Sequence, residues 1–88
     1  MTLLINVKGK VQGVAFRYSA MHFAKTINIT GYAKNLADSS VEIVAQGSED
    51  NIQKFVIWCH QGPTRARVEK VEWTEIDETK HFSGFSIR

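Results

Sequence analysis

Two stretches with helical apolar spacing, held apart by a pair of short alternating segments, constrain this chain more than any other feature. The first stretch carries Phe16, Ala20, Phe23, Ala24 and Ile27, recurring at intervals of 4, 3, 1 and 3 residues, which is the stripe of an amphipathic helix. The second carries Ile52, Phe55, Val56 and Cys59. Between them, Gly31 to Leu36 and Val41 to Gln46 read as strands flanking the turn residues Asp38-Ser39-Ser40, so a hairpin separates the two helices. A single parallel crossover is thereby excluded.

The ends of the chain complete the pattern. Leu3-Ile5-Val7 alternates with Leu4-Asn6-Lys8, the period of a strand, and its apolar start on both faces predicts a central position, with Gly9 as its end. Ser48 followed by Glu49 and Asp50 predicts the cap and first turn of the second helix, where the helix dipole favours carboxylates. Gly62-Pro63 stops that helix. Val68 to Ile76 predicts a fourth strand, but Val68 and Val71 are three apart while Val71 and Trp73 are two apart; a bulge near Glu69 reconciles them. Phe85-Ser86-Ile87 predicts a short last strand. The order β-α-β-β-α-β plus one strand is the α+β, ferredoxin-like plan, with two helices on one face of a mainly antiparallel sheet.

With 88 residues and no linker, residues 1–88 are expected to form one domain. Surface scaling predicts a folded area of ~5,200 Å² against ~14,400 Å² for the open chain, enough for one core. Cys59 is the only cysteine, so packing rather than disulfides must stabilise the fold, and on an apolar helix face a buried, inert thiol is expected. Asn6 interrupts the opening apolar run Leu3-Leu4-Ile5. Neither a signal peptide nor a membrane span is legible, and a cytoplasmic location is the expectation.

Charge placement is uneven. Residues 1–37 carry Lys8, Lys10, Arg17, Lys25 and Lys34 and no carboxylate, whereas the remainder carries six basic and nine acidic residues. The first part is therefore expected to face an anion. The acidic residues Glu69, Glu72, Glu75, Asp77 and Glu78 are expected on a solvated strand face, and Trp58 and Trp73 as core or rim aromatics.

The chemistry is expected at Gly9-Lys10-Val11-Gln12-Gly13-Val14-Ala15-Phe16-Arg17. A glycine-punctuated loop entering a helix can turn several N–H groups to one centre and form an anion cradle. Arg17 falls in the first helical turn, where a cation opposes the dipole at a cost of about 0.3 to 1 kcal/mol. A bound phosphate would more than compensate, because charge-assisted hydrogen bonds contribute roughly 1.5 to 3 kcal/mol each. A simple turn at Gly13 with a solvent-facing Arg17 is the competing reading of this loop. The Walker and G-x-G-x-x-G patterns are both absent. Asn35, near a strand end, is the second candidate, with a turn-stabilising amide as its alternative. His22, His60 and His81 lie far apart in sequence and predict no metal site. Ser19 lacks evident His and Asp partners.

At these residues the sequence resembles the acylphosphatase family. The matching elements are Gly9-x-Val11-Gln12-Gly13-Val14-x-Phe16-Arg17, Thr30-Gly31-Tyr32-x-Lys34-Asn35-Leu36, Val41-Glu42-x-Val44-Ala45-x-Gly47, Gly62-Pro63 with Ala66-x-Val68, and Phe85-x-Ile87-Arg88. Ser39 departs from the family's usual Asp-Gly-Ser turn, and Ala15 stands where the family varies. The resemblance implies a metal-independent, cofactor-free hydrolase that cleaves acyl phosphates to a carboxylate and inorganic phosphate. It further implies that the amides of Gln12, Gly13, Val14, Ala15 and Phe16 and the Arg17 guanidinium bind the phosphoryl group, while Asn35 orients the attacking water. The implied enzyme is a monomer with a small-molecule acyl phosphate as its partner and neither nucleic acid nor membrane.

Two alternatives share the fold plan. One is a catalytically silent phosphate-binding module, and the other is a single-strand RNA binder. RNA binders of this plan stack bases on sheet aromatics. Neither the first strand nor Val41 to Gln46 contains an aromatic residue.

Overall fold

β1 (Thr2–Lys10) carries the floor of the core and lies second in a five-stranded sheet. Leu3, Ile5 and Val7 are buried on one face, while Leu4, Asn6 and Lys8 alternate onto the other, as the pleat requires. The computed structural model describes residues 1–77 and 79–88. After β1 come α1 (Phe16–Thr26), β2 (Thr30–Asn35), β3 (Val41–Gln46), α2 (Glu49–Gln61), β4 (Arg67–Glu75) and β5 (Phe85–Ile87). The sheet order is β4-β1-β3-β2-β5. All neighbours are antiparallel except β2 and β5, which run parallel. This is the ferredoxin-like α+β arrangement, with β5 added at the β2 edge.

Both helices cover the same sheet face. Phe16, Ala20 and Ala24 of α1 and Ile52, Phe55 and Cys59 of α2 form one cluster with Ile5, Val7, Ala33, Val41 and Ile43. Burial of each large side chain in that cluster contributes roughly 1.5 to 3 kcal/mol. The helices meet through aromatics: Phe23 stacks on Phe55 at 6.4 Å and on Trp58 at 5.7 Å between ring centroids. Trp58 is thus a rim aromatic, whereas Trp73 on the edge strand β4 is 56% exposed. The folded surface of 5246 Å² agrees with the area expected for this length. Among the described residues, no helix is long and apolar enough to cross a membrane.

Several boundaries follow local chemistry. Ser48 caps α2 by accepting a hydrogen bond from the Asn51 N–H at 3.2 Å, and Glu49 and Asp50 occupy the first turn. Gly62 ends the helix by donating its N–H to the Trp58 carbonyl at 2.8 Å. In β4, Lys70 opposes Lys8 and Val68 opposes Gly9, so Glu69 is the extra residue of a bulge. The irregular Val68, Val71, Trp73 spacing has this cause. β1 does not stop at Gly9 but runs on to Lys10. Gly9 has φ +128°, and a Cβ there would strike the Arg67 carbonyl oxygen and approach the Glu69 nitrogen to 2.8 Å. Glycine therefore keeps the strand paired across the bulge rather than terminating it.

The charge bias has a partly structural origin. Lys8 Nζ pairs with Glu72 at 3.3 Å and Lys34 Nζ with Glu42 at 4.0 Å, so two cations of the N-terminal part answer carboxylates across the open sheet face. Lys8 and Lys70 hold the Glu72 carboxyl below its ordinary pKa. Glu69, Glu72, Glu75 and Asp77 are exposed, and Glu78 lies outside the described residues. Cys59 is fully buried, and its desolvation pushes the thiol pKa well up, leaving an inert neutral group.

Candidate active site

The loop between β1 and α1 is shaped by alternating inward and outward residues. Val11, Val14 and Phe16 are buried in the core, whereas Gly13 and Ala15 lie at the surface. Both outward residues are left-handed, with φ 74° at Gly13 and 62° at Ala15. Gly13 adopts this conformation without strain, while Ala15 carries a cost of roughly 1 to 2 kcal/mol. Left-handed residues interspersed in a loop aim successive N–H groups into one concavity. None of the N–H groups of residues 13–17 donates to another described residue. Ala15 is also the N-cap of α1 and supplies no side-chain cap, and no acidic residue stands in the first turn. A helix N-terminus left with free donors and no carboxylate has the chemistry to receive an anion.

Arg17 lies in that first turn, as its sequence position predicts. Its Nη1 donates to the Arg88 carbonyl oxygen at 2.9 Å. Arg88 is itself fixed, with its N–H donating to the Ala33 carbonyl at 2.8 Å and its guanidinium carbon 4.0 Å from the centre of the Tyr32 ring. The parallel pairing of β5 with β2 thus carries residues 87 and 88 across to the Arg17 side chain, which bonds over 71 positions of sequence. One nitrogen of the fork is held, and the other donors are left for a ligand.

Asn35 closes β2, opposite Val41 of β3. Its Oδ1 is buried and has no hydrogen-bond partner. An orphaned buried acceptor costs about 1 to 3 kcal/mol, so its position calls for a donor. Asn35 shares a pocket of about 130 Å³ with Gly13, Ala15, Phe16, Arg17 and Tyr18, walled by Val11 and Ile87. The structure therefore brings Arg17, Asn35 and the outward half of the loop to one concavity. Gln12 and Val14 do not line it with side chains, because Val14 points into the core and the Gln12 amide turns toward the β2–β3 hairpin. Val11, Tyr18, Ile87 and the Arg88 carbonyl belong to the site but were not expected there. The motif Phe85-x-Ile87-Arg88 marked the last two as notable without indicating a role.

The hairpin that carries Asn35 turns tightly. The Ser39 N–H donates to the Leu36 carbonyl at 3.2 Å and the Leu36 N–H to the Ser40 carbonyl at 2.9 Å. Ser39 takes the left-handed position, φ 76°, where glycine is usual. The departure at this position therefore leaves the turn geometry intact. The Asp38 carboxylate accepts from both the hydroxyl and the N–H of Ser40, and the hydroxyl bond leads in holding its pKa below the ordinary value. Among the described residues, no three His, Cys, Asp or Glu side chains are grouped as metal ligands.

Comparison with known proteins shows the family and the fold of this chain. A family model described as Acylphosphatase matches residues 3–87. An acylphosphatase of Shewanella amazonensis is 45% identical over 85 residues, spanning 97% of this chain and 93% of the relative. The solved acylphosphatase of Coxiella burnetii is 40% identical, with a TM-score of 0.93 over 99% of this chain and 90% of that one. The crystal structure of the Bacillus subtilis acylphosphatase is 36% identical, with a TM-score of 0.95 over 99% of this chain and 97% of that chain.

Proposed function

This chain belongs to the acylphosphatase family and hydrolyses the carboxyl–phosphate bond of acyl phosphates, and from that premise we propose which residues do the work. The main-chain N–H groups of Gln12, Gly13, Val14, Ala15 and Phe16 cradle the phosphoryl oxygens. Arg17 clamps the same group, and Asn35 positions the water. The observation that carries this assignment is that Asn35, whose buried Oδ1 has no partner, lines the same pocket as the loop and Arg17.

Water donates one hydrogen bond to Asn35 Oδ1, which turns a lone pair toward phosphorus. The new P–O bond forms as the bond to the acyl oxygen breaks, releasing a carboxylate and inorganic phosphate with the water's protons. A carboxylate is a weak base and leaves without a strong general acid. Phosphoryl transfer asks chiefly for placement and for stabilisation of charge on the equatorial oxygens. Amide donors and a guanidinium suit that demand, and an asparagine amide, which cannot act as a strong base, contributes geometry.

The chain acts as a single domain, residues 1–88, with the first and last strands in one sheet and one continuous core. The acting form in this proposal is a monomer in the cytoplasm whose partner is a small acyl phosphate rather than a nucleic acid. β1 and β3 carry Leu4, Asn6, Lys8, Glu42, Val44 and Gln46 on the face away from the helices, none of them aromatic, and the Tyr32 ring of β2, opposite Val44, is stacked by the Arg88 guanidinium. The test is hydrolysis of benzoyl phosphate by the purified protein with a chelator present and phenyl phosphate as the monoester control. Turnover of the acyl phosphate unaffected by chelation is expected. Preference for the monoester would overturn the substrate class, and abolition by the chelator would overturn the metal-free reading.

A further inference from the structure

The side chain of Gln12 has a task separate from its main-chain N–H. Its Nε2 donates both hydrogens, one to the Leu36 carbonyl at 2.8 Å and one to the Ser40 carbonyl at 2.9 Å. Those two carbonyls are also the acceptors that close the β2–β3 hairpin, receiving the N–H groups of Ser39 and Leu36. Leu36 follows Asn35, and Ser40 precedes its partner Val41. The Gln12 amide therefore bridges the mouth of the hairpin, one residue from Asn35 on one strand and one residue from Val41 on the other. Its own backbone adjoins Gly13 at the start of the left-handed turn of the cradle. On the opposite side, the Asn6 amide donates to the Ser40 hydroxyl at 3.0 Å and ties the hairpin to β1.

We propose that Gln12 is a positioning residue whose side-chain amide fixes the anion cradle relative to Asn35, and so governs turnover more than phosphate binding. This rests on the assignment of the cradle and of Asn35 made above. In-line attack requires the water held by Asn35 to lie on the axis of the bond that breaks at the phosphorus held by the loop. These two parts sit on different elements, β2 and the β1–α1 loop. Among the described residues, and apart from the sheet, the Gln12 amide is the direct polar bridge from the loop to the hairpin. No other residue type of this length offers two hydrogens from one planar nitrogen without charge. Methionine fills the volume but donates nothing. Glutamate presents lone pairs to two carbonyl oxygens, and only its protonated form could donate, through one hydrogen.

The test compares Gln12→Met, Gln12→Glu, Asn35→Ala and the double variant Gln12→Met/Asn35→Ala in benzoyl phosphate hydrolysis, with inorganic phosphate as competitive inhibitor and melting temperature as the check on folding. A displacement of the order of an ångström can cost about 10²-fold in rate, so Gln12→Met is expected to lower kcat by about 10- to 100-fold. The phosphate inhibition constant should change by less than about 3-fold, since the amides and Arg17 remain in place. The double variant should lose little beyond Asn35→Ala alone, because both substitutions remove the same placed water. Gln12→Glu should be as slow as Gln12→Met at neutral pH and gain on it as pH falls through the carboxyl range, which a purely structural defect would not produce. If Gln12→Met melts below the assay temperature, that pH-dependent recovery in Gln12→Glu decides the matter. Multiplicative losses in the double variant, or weakened phosphate inhibition with unchanged kcat, would overturn the role of Gln12. Wild-type turnover in Asn35→Ala would instead overturn the assignment of the water, and the inference with it.

Discussion

Replacing Arg17 by alanine removes the one guanidinium in the pocket and almost nothing else. A planar fork gripping two phosphoryl oxygens makes two charge-assisted bonds of about 1.5 to 3 kcal/mol each, or about 3 to 6 kcal/mol, which corresponds to about 10²- to 10⁴-fold in kcat/KM. The stability change is far smaller. Loss of the bond from Nη1 to the Arg88 carbonyl costs about 0.5 to 1.5 kcal/mol, while removing a cation from the first turn of α1 returns about 0.3 to 1 kcal/mol. The net change lies within about 1 kcal/mol, a shift of no more than about 4 to 8 °C in Tm for a domain of this size. Arg17→Lys keeps the charge but not the fork, so it should remain within about 10-fold of Arg17→Ala. Steady-state hydrolysis of benzoyl phosphate and a thermal melt on the same preparations measure both quantities. A folded Arg17→Ala protein keeping more than about a tenth of the wild-type kcat/KM would fall below the smallest loss that two charge-assisted bonds allow, and would remove the guanidinium from phosphoryl binding.

The other predictions concern the hairpin that carries Asn35. Asn35→Ala should lower kcat while inhibition by inorganic phosphate is kept; because it deletes a buried acceptor without a partner, the protein should melt no lower than wild type. Ser39→Gly relieves a left-handed serine, a cost of about 1 to 2 kcal/mol offset by about 0.5 to 1 kcal/mol of added chain entropy, so Tm should rise by a few degrees with turnover unchanged. A fall in Tm would show that the serine carries a compensating contact. Asp38 has a folded pKa below its ordinary value, chiefly through the Ser40 hydroxyl. Its contribution is therefore present above about pH 4 and is lost as pH falls through the folded value. Urea midpoints measured from pH 6 to pH 2 should show this acid-side loss reduced in Asp38→Asn, and an unchanged pH profile would contradict it.

Much of this arrangement was legible in the sequence because the signals are local. Apolar spacing together with turn residues located the described strands and helices, and placed Val41–Gln46 and Phe85–Ile87 at their observed bounds. The broken alternation at Val68, Val71 and Trp73 located the Glu69 bulge, and Ser48 announced its helix. Gly9 misled because a glycine that ends a strand and a glycine that lets two backbones approach look alike in one dimension. The cluster of cations before residue 37 misled in part as well, since Lys8 and Lys34 pair with Glu72 and Glu42 on strands whose adjacency is not encoded locally.

Residue type and spacing, by themselves, determined which faces are buried, where the helices start, and that a glycine-bearing loop leads into an arginine. Strand order was decided only by the folded chain: β5 lies parallel to β2, which brings Ile87 and the Arg88 carbonyl to Arg17, and it leaves the oxygen of Asn35 buried with no partner. The division has a physical cause. Burial periodicity is written in neighbouring residues, whereas a hydrogen bond between groups 71 positions apart exists only once the sheet has set their distance.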